Sequence, residues 1–401
     1  MTTKYRILAL MTTAQAGASI VQQAVGALAP ILLVQFALNK AQLGAMFTSL
    51  YVGSAIFTAV SGVLTDRFGE RTMVAVSGSV MTFALVLSTV VPSYPWLVAC
   101  LGIFGAGYAG SMPAGGRAIL GWFVHDRGFA MGIRQTGVPL GGLIGAIVLP
   151  LAALHLGGYR AALLVAAALV AVPTAIVCVV YREAPNDRPP PTTVRRLLGG
   201  MRRLVRDPRL IAVTLTCMTL VIGQLALNGF FTVTAIQVVH VSPALAGTAF
   251  SCAFAAATVA RLFWGWYSDT YMRESRIILL GVLSAFGAAA SLAVAFLQPA
   301  NAGLLIPAAF ALGFFGAGWN GVMAAALAEI GGADRAGSAI GLTLTAIFTA
   351  SAVGPIVFGA IADHTSLGAA WLVNAGVGAL GVLPVLWLRS HERRYGRSQA
   401  A

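Results

Sequence analysis

The chain has 401 residues, of which 58% are hydrophobic and 9% charged, with a mean hydropathy of +0.86. A soluble globular protein carries about 25% charged residues, so this composition excludes a water-soluble core and makes the bilayer the solvent. A formal net charge of +13 would suggest nucleic acid in a soluble protein, a reading that the placement of the charges excludes below.

With about 20 residues needed per crossing, the apolar runs predict twelve helices. Six lie at 7–36, 41–64, 72–91, 95–121, 128–154 and 159–181. Six more lie at 209–237, 243–266, 275–297, 302–328, 336–361 and 367–388. The first follows Lys4 and Arg6 much as a secretory leader would, but it continues past Pro30 without a convincing cleavage site, so it reads as a retained span.

The break after the sixth helix differs from the others. Eight arginines fall between Arg182 and Arg209, and four more between Arg389 and Arg397, leaving Lys40 and Arg160 as the basic residues of the alternate loops. The positive-inside rule places both termini and this linker in the cytoplasm, in a bacterial inner membrane, and accounts for the charge without nucleic acid. From Thr193 to Arg206 basic and apolar residues alternate at rough helical spacing, which suits an inner surface of anionic lipid. The expected division is 1–181 and 209–390 as two six-helix bundles, 182–208 as linker and 391–401 as a tail.

The halves repeat. Gly102-Ile-Phe-Gly-Ala-Gly-Tyr-Ala-Gly110 returns as Gly313-Phe-Phe-Gly-Ala-Gly-Trp-Asn-Gly321. Gly62-Val-Leu-Thr-Asp66-Arg-Phe-Gly-Glu-Arg71 returns as Gly265-Trp-Tyr-Ser-Asp269-Thr-Tyr-Met-Arg273, and Asp126-Arg127 as Asp334-Arg335. Three matches in the same order mark a duplicated architecture. Six plus six helices, a basic central loop and the Gly-x-x-x-Asp-Arg-x-Gly-x-Arg pattern resemble the major facilitator superfamily over the whole chain. The resemblance implies an all-α membrane protein: twelve transmembrane helices in two pseudo-symmetric six-helix bundles that rock around a central site. Asp66, Arg71, Asp126, Arg127 and Asp269 would then gate the conformational change. A carboxylate at a helix N-terminus with arginine in reach gains charge-assisted bonds that a tilt would break; the alternative is a static turn motif.

Two arginines stand inside apolar runs with no carboxylate at comparable depth. Arg261 lies eight residues before Asp269 and Arg134 seven beyond Arg127, hence about 12 Å and about 10 Å into the membrane. Such a charge costs about 2.5–3.5 kcal/mol on insertion scales, so it faces a cavity, snorkels to the interface, or meets an anion that arrives from outside. The run Gly105-x-Gly107-Tyr108…Pro113…Trp122-Phe123-x-x-x-Arg127-Gly128-x-Ala130-x-Gly132-Ile133 resembles organic-anion facilitators, the oxalate–formate exchangers and monocarboxylate porters. That resemblance implies that Arg261 on helix eight holds a substrate carboxylate. Some relatives add a lysine on helix eleven, which this chain lacks between Gly337 and Ile361, so Arg134 is the candidate second cation. Tyr108 and Trp319, equivalent in the repeat, are candidates to wall the cargo, with Asn320 beside them. Gln22, Gln224 and Asn228, on helices one and seven, are further candidates, since an unsatisfied amide in hydrocarbon costs several kcal/mol; packing between helices is the competing explanation.

No residue cluster has metal-ligand spacing, no nucleotide loop is complete, and no cofactor or enzymatic chemistry is expected. The expected function is a monomeric secondary transporter of a small organic anion, a monocarboxylate above all. The alternative is efflux of neutral or weakly acidic drug-like compounds.

Overall fold

The computed structural model describes residues 3–123, 127–182 and 205–398, and the remainder, including most of the linker and Asp126, lies outside the described residues. The first half comprises α1 (Thr3–Gln35), α2 (Lys40–Phe68), α3 (Glu70–Ser88), α4 (Tyr94–Trp122), α5 (Arg127–Leu156) and α6 (Gly158–Val180). The second comprises α7 (Pro208–Gln237), α8 (Pro243–Tyr271), α9 (Arg276–Ala295), α10 (Leu305–Ala311), α11 (Asn320–His364), α12 (Leu367–Leu380) and α13 (Leu383–Ser398). No strand occurs among the described residues. Among the described residues eleven stretches are long and apolar enough to cross a membrane, and α2, of 29 residues, runs beside α4 and α11 as the twelfth crossing.

Helix starts follow local chemistry. Asn39 and Gln42 form a reciprocal capping box at α2, Ser242 caps α8 through the Leu245 amide, and Asp207 precedes Pro208 at α7, each satisfying amides that have no partner within the helix. Bilayer-facing side chains are apolar too: Val34, Val90 and Val179 are among the exposed aliphatics.

The tenth and twelfth crossings are not the continuous helices that hydropathy predicts. The tenth is α10, then a wide π turn at Leu312–Gly316, then a non-helical step before Asn320. Gly313, Gly316 and Gly318 weaken helical preference there. Gly313 also lets the chain lie so close to α8 that a methyl would overlap the Ala253 carbonyl. The carbonyls that the irregular turn leaves over find donors on α8: Trp264 Nε1 reaches Phe314 O at 3.0 Å and Arg261 Nε reaches Ala317 O at 3.4 Å. The helical run of α11 carries the rest of the tenth crossing up to Gly331 and the whole eleventh from Ala339. In the twelfth, the step at Gly381 separates α12 from α13, and Thr216 Oγ1 of α7 donates to the Gly381 carbonyl at 2.9 Å.

The halves meet along α1 with α7, α2 with α11 and α5 with α8. Most of the bonds joining them lie toward the face opposite the termini. Asp363, at the end of α11, accepts from the backbone amides of Lys40 and Ala41 at 2.9 and 2.7 Å, with Lys40 Nζ at 3.7 Å. It therefore caps a helix of the other half. Thr48 Oγ1 donates to Ala352 O at 2.5 Å, and Thr232 Oγ1 to Gly26 O at 2.5 Å. Here the backbones touch: a methyl at Gly26 would overlap Asn228 O, and one at Gly44 would overlap Pro355 O. Small residues permit such approach between membrane helices.

Candidate functional site

The candidate site centres on Arg261, where α8 meets α5 of the other half and the broken tenth crossing. Arg261 of α8 is 9% exposed. Its Nη1 donates to the Gln135 carbonyl of α5 at 3.0 Å and its Nε to Ala317 O at 3.4 Å. One guanidinium thus ties the two halves together and touches the interrupted segment, yet no carboxylate neutralises it. No Asp or Glu is among the buried described residues.

Arg134 lies deeper, 1% exposed, within the first half. Its Nη2 donates to Gln15 Oε1 at 2.7 Å and to Ser111 O at 3.0 Å, while Nε and Nη1 have no partner. Two features of α4 make room for it. Pro113 lacks an amide, and the Ala109 carbonyl that it leaves receives Ser61 Oγ instead, at 3.1 Å. Gly115 lies against the guanidinium so closely that a methyl would be 2.5 Å from Nε. The Pro113-Ala-Gly-Gly segment is therefore the bed of a buried cation. Gln15 Nε2 continues the chain to Ser19 Oγ at 3.0 Å and to the Tyr108 hydroxyl at 3.4 Å. Gln15 thus links the Arg134 guanidinium to the Tyr108 hydroxyl.

Several predicted residues gather near this place. Trp319 and Asn320 stand at the break, next to Ala317, and Trp319 Nε1 and Asn320 Nδ2 are buried donors without a partner. Gln135 Oε1, Gln224 Oε1 and Asn228 Oδ1 are buried acceptors without one. Buried polar groups are satisfied in the great majority of cases, so the orphans on Gln135, Trp319 and Asn320, at or next to the segments that Arg261 touches, mark a position for a polar ligand or water. Tyr108 is packed into the apolar core and offers its hydroxyl rather than an open ring face. Gln22 accepts from its neighbour Gln23 at 3.4 Å, whereas Gln23 receives Asn228 Nδ2 across the halves at 2.6 Å. Asn228 therefore serves the seam with one amide atom and leaves the other free. Gln15 and Gln135 join the predicted residues here, Gln15 through its side chain to Arg134 and Gln135 through its carbonyl to Arg261.

The predicted gates divide. Asp269 pairs with Arg276 Nη2 at 2.5 Å, and Arg276 Nη1 binds Glu329, all within the second half. Arg71 donates through Nε to Cys178 O at 2.7 Å, within the first half. The side chains of Asp66 and Arg127, like Asp126, lie outside the described residues. A link that sequence reasoning did not anticipate is Arg117 with Glu70, at 2.9 Å. Among the described residues no ion pair joins the halves at the termini-bearing face, while Lys40–Asp363 joins them at the other.

Twelve crossings in two halves around buried cations are the architecture of a membrane transport protein. The chain belongs to the Major Facilitator Superfamily, whose model matches residues 11–237 and 221–401. It is 30% identical over 342 residues to the uncharacterized MFS-type transporter MT3072 of Mycobacterium tuberculosis, covering 82% of this chain and 72% of that one. Several relatives are named for a cargo, two of them for small molecules of metabolism and others for efflux of fujikurins and agnestins. The probable sulfoacetate transporter SauU of Cupriavidus necator is 28% identical over 46% of this chain and 43% of its own. The niacin transporter NiaP of Acinetobacter baylyi is 27% identical over 39% and 35%. Among solved structures, a bacterial homolog of the human lysosomal transporter Spinster, in an inward-facing and occupied conformation, superposes with a TM-score of 0.75, covering 99% and 98% of the chains at 16% identity; that likeness concerns the fold.

Proposed function

We propose that the protein is a secondary transporter that carries a small organic anion, a monocarboxylate above all, by alternating access between bundles divided at residues 182–208. The observation that carries this reading is Arg261: a buried guanidinium bound to carbonyls of both halves, without a carboxylate, beside orphaned donors. A planar guanidinium grips a carboxylate or sulfonate in two parallel bonds. Trp319 Nε1 and Asn320 Nδ2 supply further donors, and Arg134 adds positive potential through the Gln15–Tyr108 chain. Two relatives named for sulfoacetate, which bears a sulfonate and a carboxylate, and for niacin, which bears one carboxylate, support a small organic anion as the substrate class.

Both termini are assigned to the cytoplasm by the arginines flanking α7 and ending α13. With bonds between the halves concentrated on the other side, this conformation opens inward. Importing one negative charge against about 100 mV costs roughly 2.3 kcal/mol. With no buried carboxylate among the described residues to relay a proton, exchange for another anion, or a proton travelling with the cargo, is the mode that this site supports.

Nicotinate and nicotinamide form a test pair of nearly equal shape and different charge. In proteoliposomes preloaded with unlabelled nicotinate, labelled nicotinate should accumulate by counterflow, external sulfoacetate should compete, and nicotinamide should not. Equal competition by nicotinamide would sink the anion reading and favour efflux of neutral compounds.

A further inference from the structure

At the termini-bearing end of the second half, the start of α7, the turn before α9, α11 and α13 enclose a cavity of about 500 Å³. Four arginines line it, Arg209, Arg273, Arg276 and Arg389, against two glutamates. Both glutamates are already engaged, Glu392 by Arg209 at 3.2 Å and Glu329 by Arg276. Arg273 and Arg389 have no ion-pair partner among the described residues. Arg276, 7% exposed, keeps a buried Nε without a hydrogen bond. The cavity therefore holds unspent positive charge and a buried donor. Its remaining wall is aliphatic, including Ile278 and Leu388.

A second cavity of about 550 Å³ shares α7 and α13 as walls and is apolar, with Ile211, Leu215 and Trp387 among its lining residues. Ile211 and Trp387 are each two residues from an arginine of the first cavity, about 3 Å along a helix. A basic chamber at headgroup level next to an apolar groove is the two-part chemistry of a phospholipid, and basic pockets between membrane helices on the cytoplasmic side suit anionic headgroups.

We propose that these cavities form a binding site for an anionic phospholipid, with the phosphodiester at Arg273, Arg276 and Arg389 and one acyl chain along the α7–α13 groove. The site is separate from the cargo position at Arg261 and stands whether or not the transported species is an anion. Its wall includes the Arg276–Glu329 pair, so the lipid would sit against the Asp269 network at the end of α8.

The full-length protein in detergent, titrated with phosphatidylglycerol, phosphatidylcholine or inorganic phosphate, tests this by native mass spectrometry and thermal unfolding. Phosphatidylglycerol should bind and stabilise selectively. R273Q/R389Q should weaken it about fivefold per arginine removed, and L215W, which fills the groove on an exposed position, should weaken it without altering cargo binding. R389Q alone, at an exposed residue with no described partner, covers the case of a double variant that does not fold. R195Q/R196Q, removing the same charge from the linker stretch that suits the anionic membrane surface, should weaken the affinity less than the cavity variant does. Equal stabilisation by phosphatidylcholine, an equal loss in the linker variant, or displacement of phosphatidylglycerol by inorganic phosphate would each overturn the proposal.

Discussion

Replacing Arg261 with methionine removes the guanidinium that bridges the halves, and the structure allows both consequences to be worked out. Of its two hydrogen bonds, that to Gln135 O at 3.0 Å has ordinary length and that to Ala317 O at 3.4 Å is long. Their loss is worth about one charge-assisted bond, roughly 1.5–3 kcal/mol. Removing an unpaired charge from the membrane returns about 2.5–3.5 kcal/mol. The terms nearly cancel, so the empty variant should match the wild type to within about 1 kcal/mol. Ligand-dependent stability should separate them sharply. With nicotinate at about one hundred times its Kd, the wild type gains about 2.7 kcal/mol. Truncating one partner of a buried charge pair costs about 2–5 kcal/mol, and a value near 2.7 kcal/mol is a hundredfold in Kd. At the same concentration the variant then gains only about 0.4 kcal/mol. The assay is thermal unfolding of the purified chain across a nicotinate titration, with nicotinamide as uncharged control. A full nicotinate shift in the variant would refute the anchor; a variant several kcal/mol less stable without ligand would show a structural tie instead.

Further outcomes are expected. Arg134→Lys keeps the charge but cannot span Gln15 and the Ser111 carbonyl together, so anion affinity should stay within about fivefold, whereas Arg134→Met should lower it about tenfold through lost potential; the same titration reads both. Asp363→Asn weakens a cap that crosses between the halves, a bond type worth about 1 kcal/mol, and should shift the population about fivefold toward opening at the face opposite the termini. Spin labels at the exposed positions Val90 and Leu304 would report that shift as a longer distance, and an unchanged distribution would exclude the cap as a gate. Gly26→Ala places a methyl on the Asn228 carbonyl and should force α1 from α7, opening the same face and abolishing counterflow; retained counterflow would show that the seam need not close.

The fold was legible because the bilayer imposes one rule, twelve apolar runs of sufficient length, and because Gly102–Gly110 and Gly313–Gly321 spelled out the duplication. The break inside the second copy was not. Hydropathy averages over about 20 residues and does not see a π turn whose carbonyls are met by Trp264 and Arg261 from another helix. Arg134 and Arg261 were legible as costly charges, but their surroundings were not: one lies among helices of a single half, the other spans two. The choice between Gln22 and Gln23 is one residue, about 100° of helix rotation, and α1 is too apolar all round for periodicity to fix its facing. Asp363 reads in sequence as one more loop carboxylate, because its partners at Lys40 and Ala41 are more than three hundred residues away.

The seam at Gly26 and Gly44 has a consequence for how such a protein can diversify. At these two glycines closure depends on backbone meeting backbone, while the proposed cargo position lies around Arg261 and the broken tenth crossing. On that proposal, substitutions around Trp319 that reshape cargo recognition would leave these two backbone contacts untouched. A lineage built on this chain could exchange its cargo while inheriting the same mechanical cycle, and a graft of the residues around Trp319 from a relative should change what is moved without changing how the bundles swing.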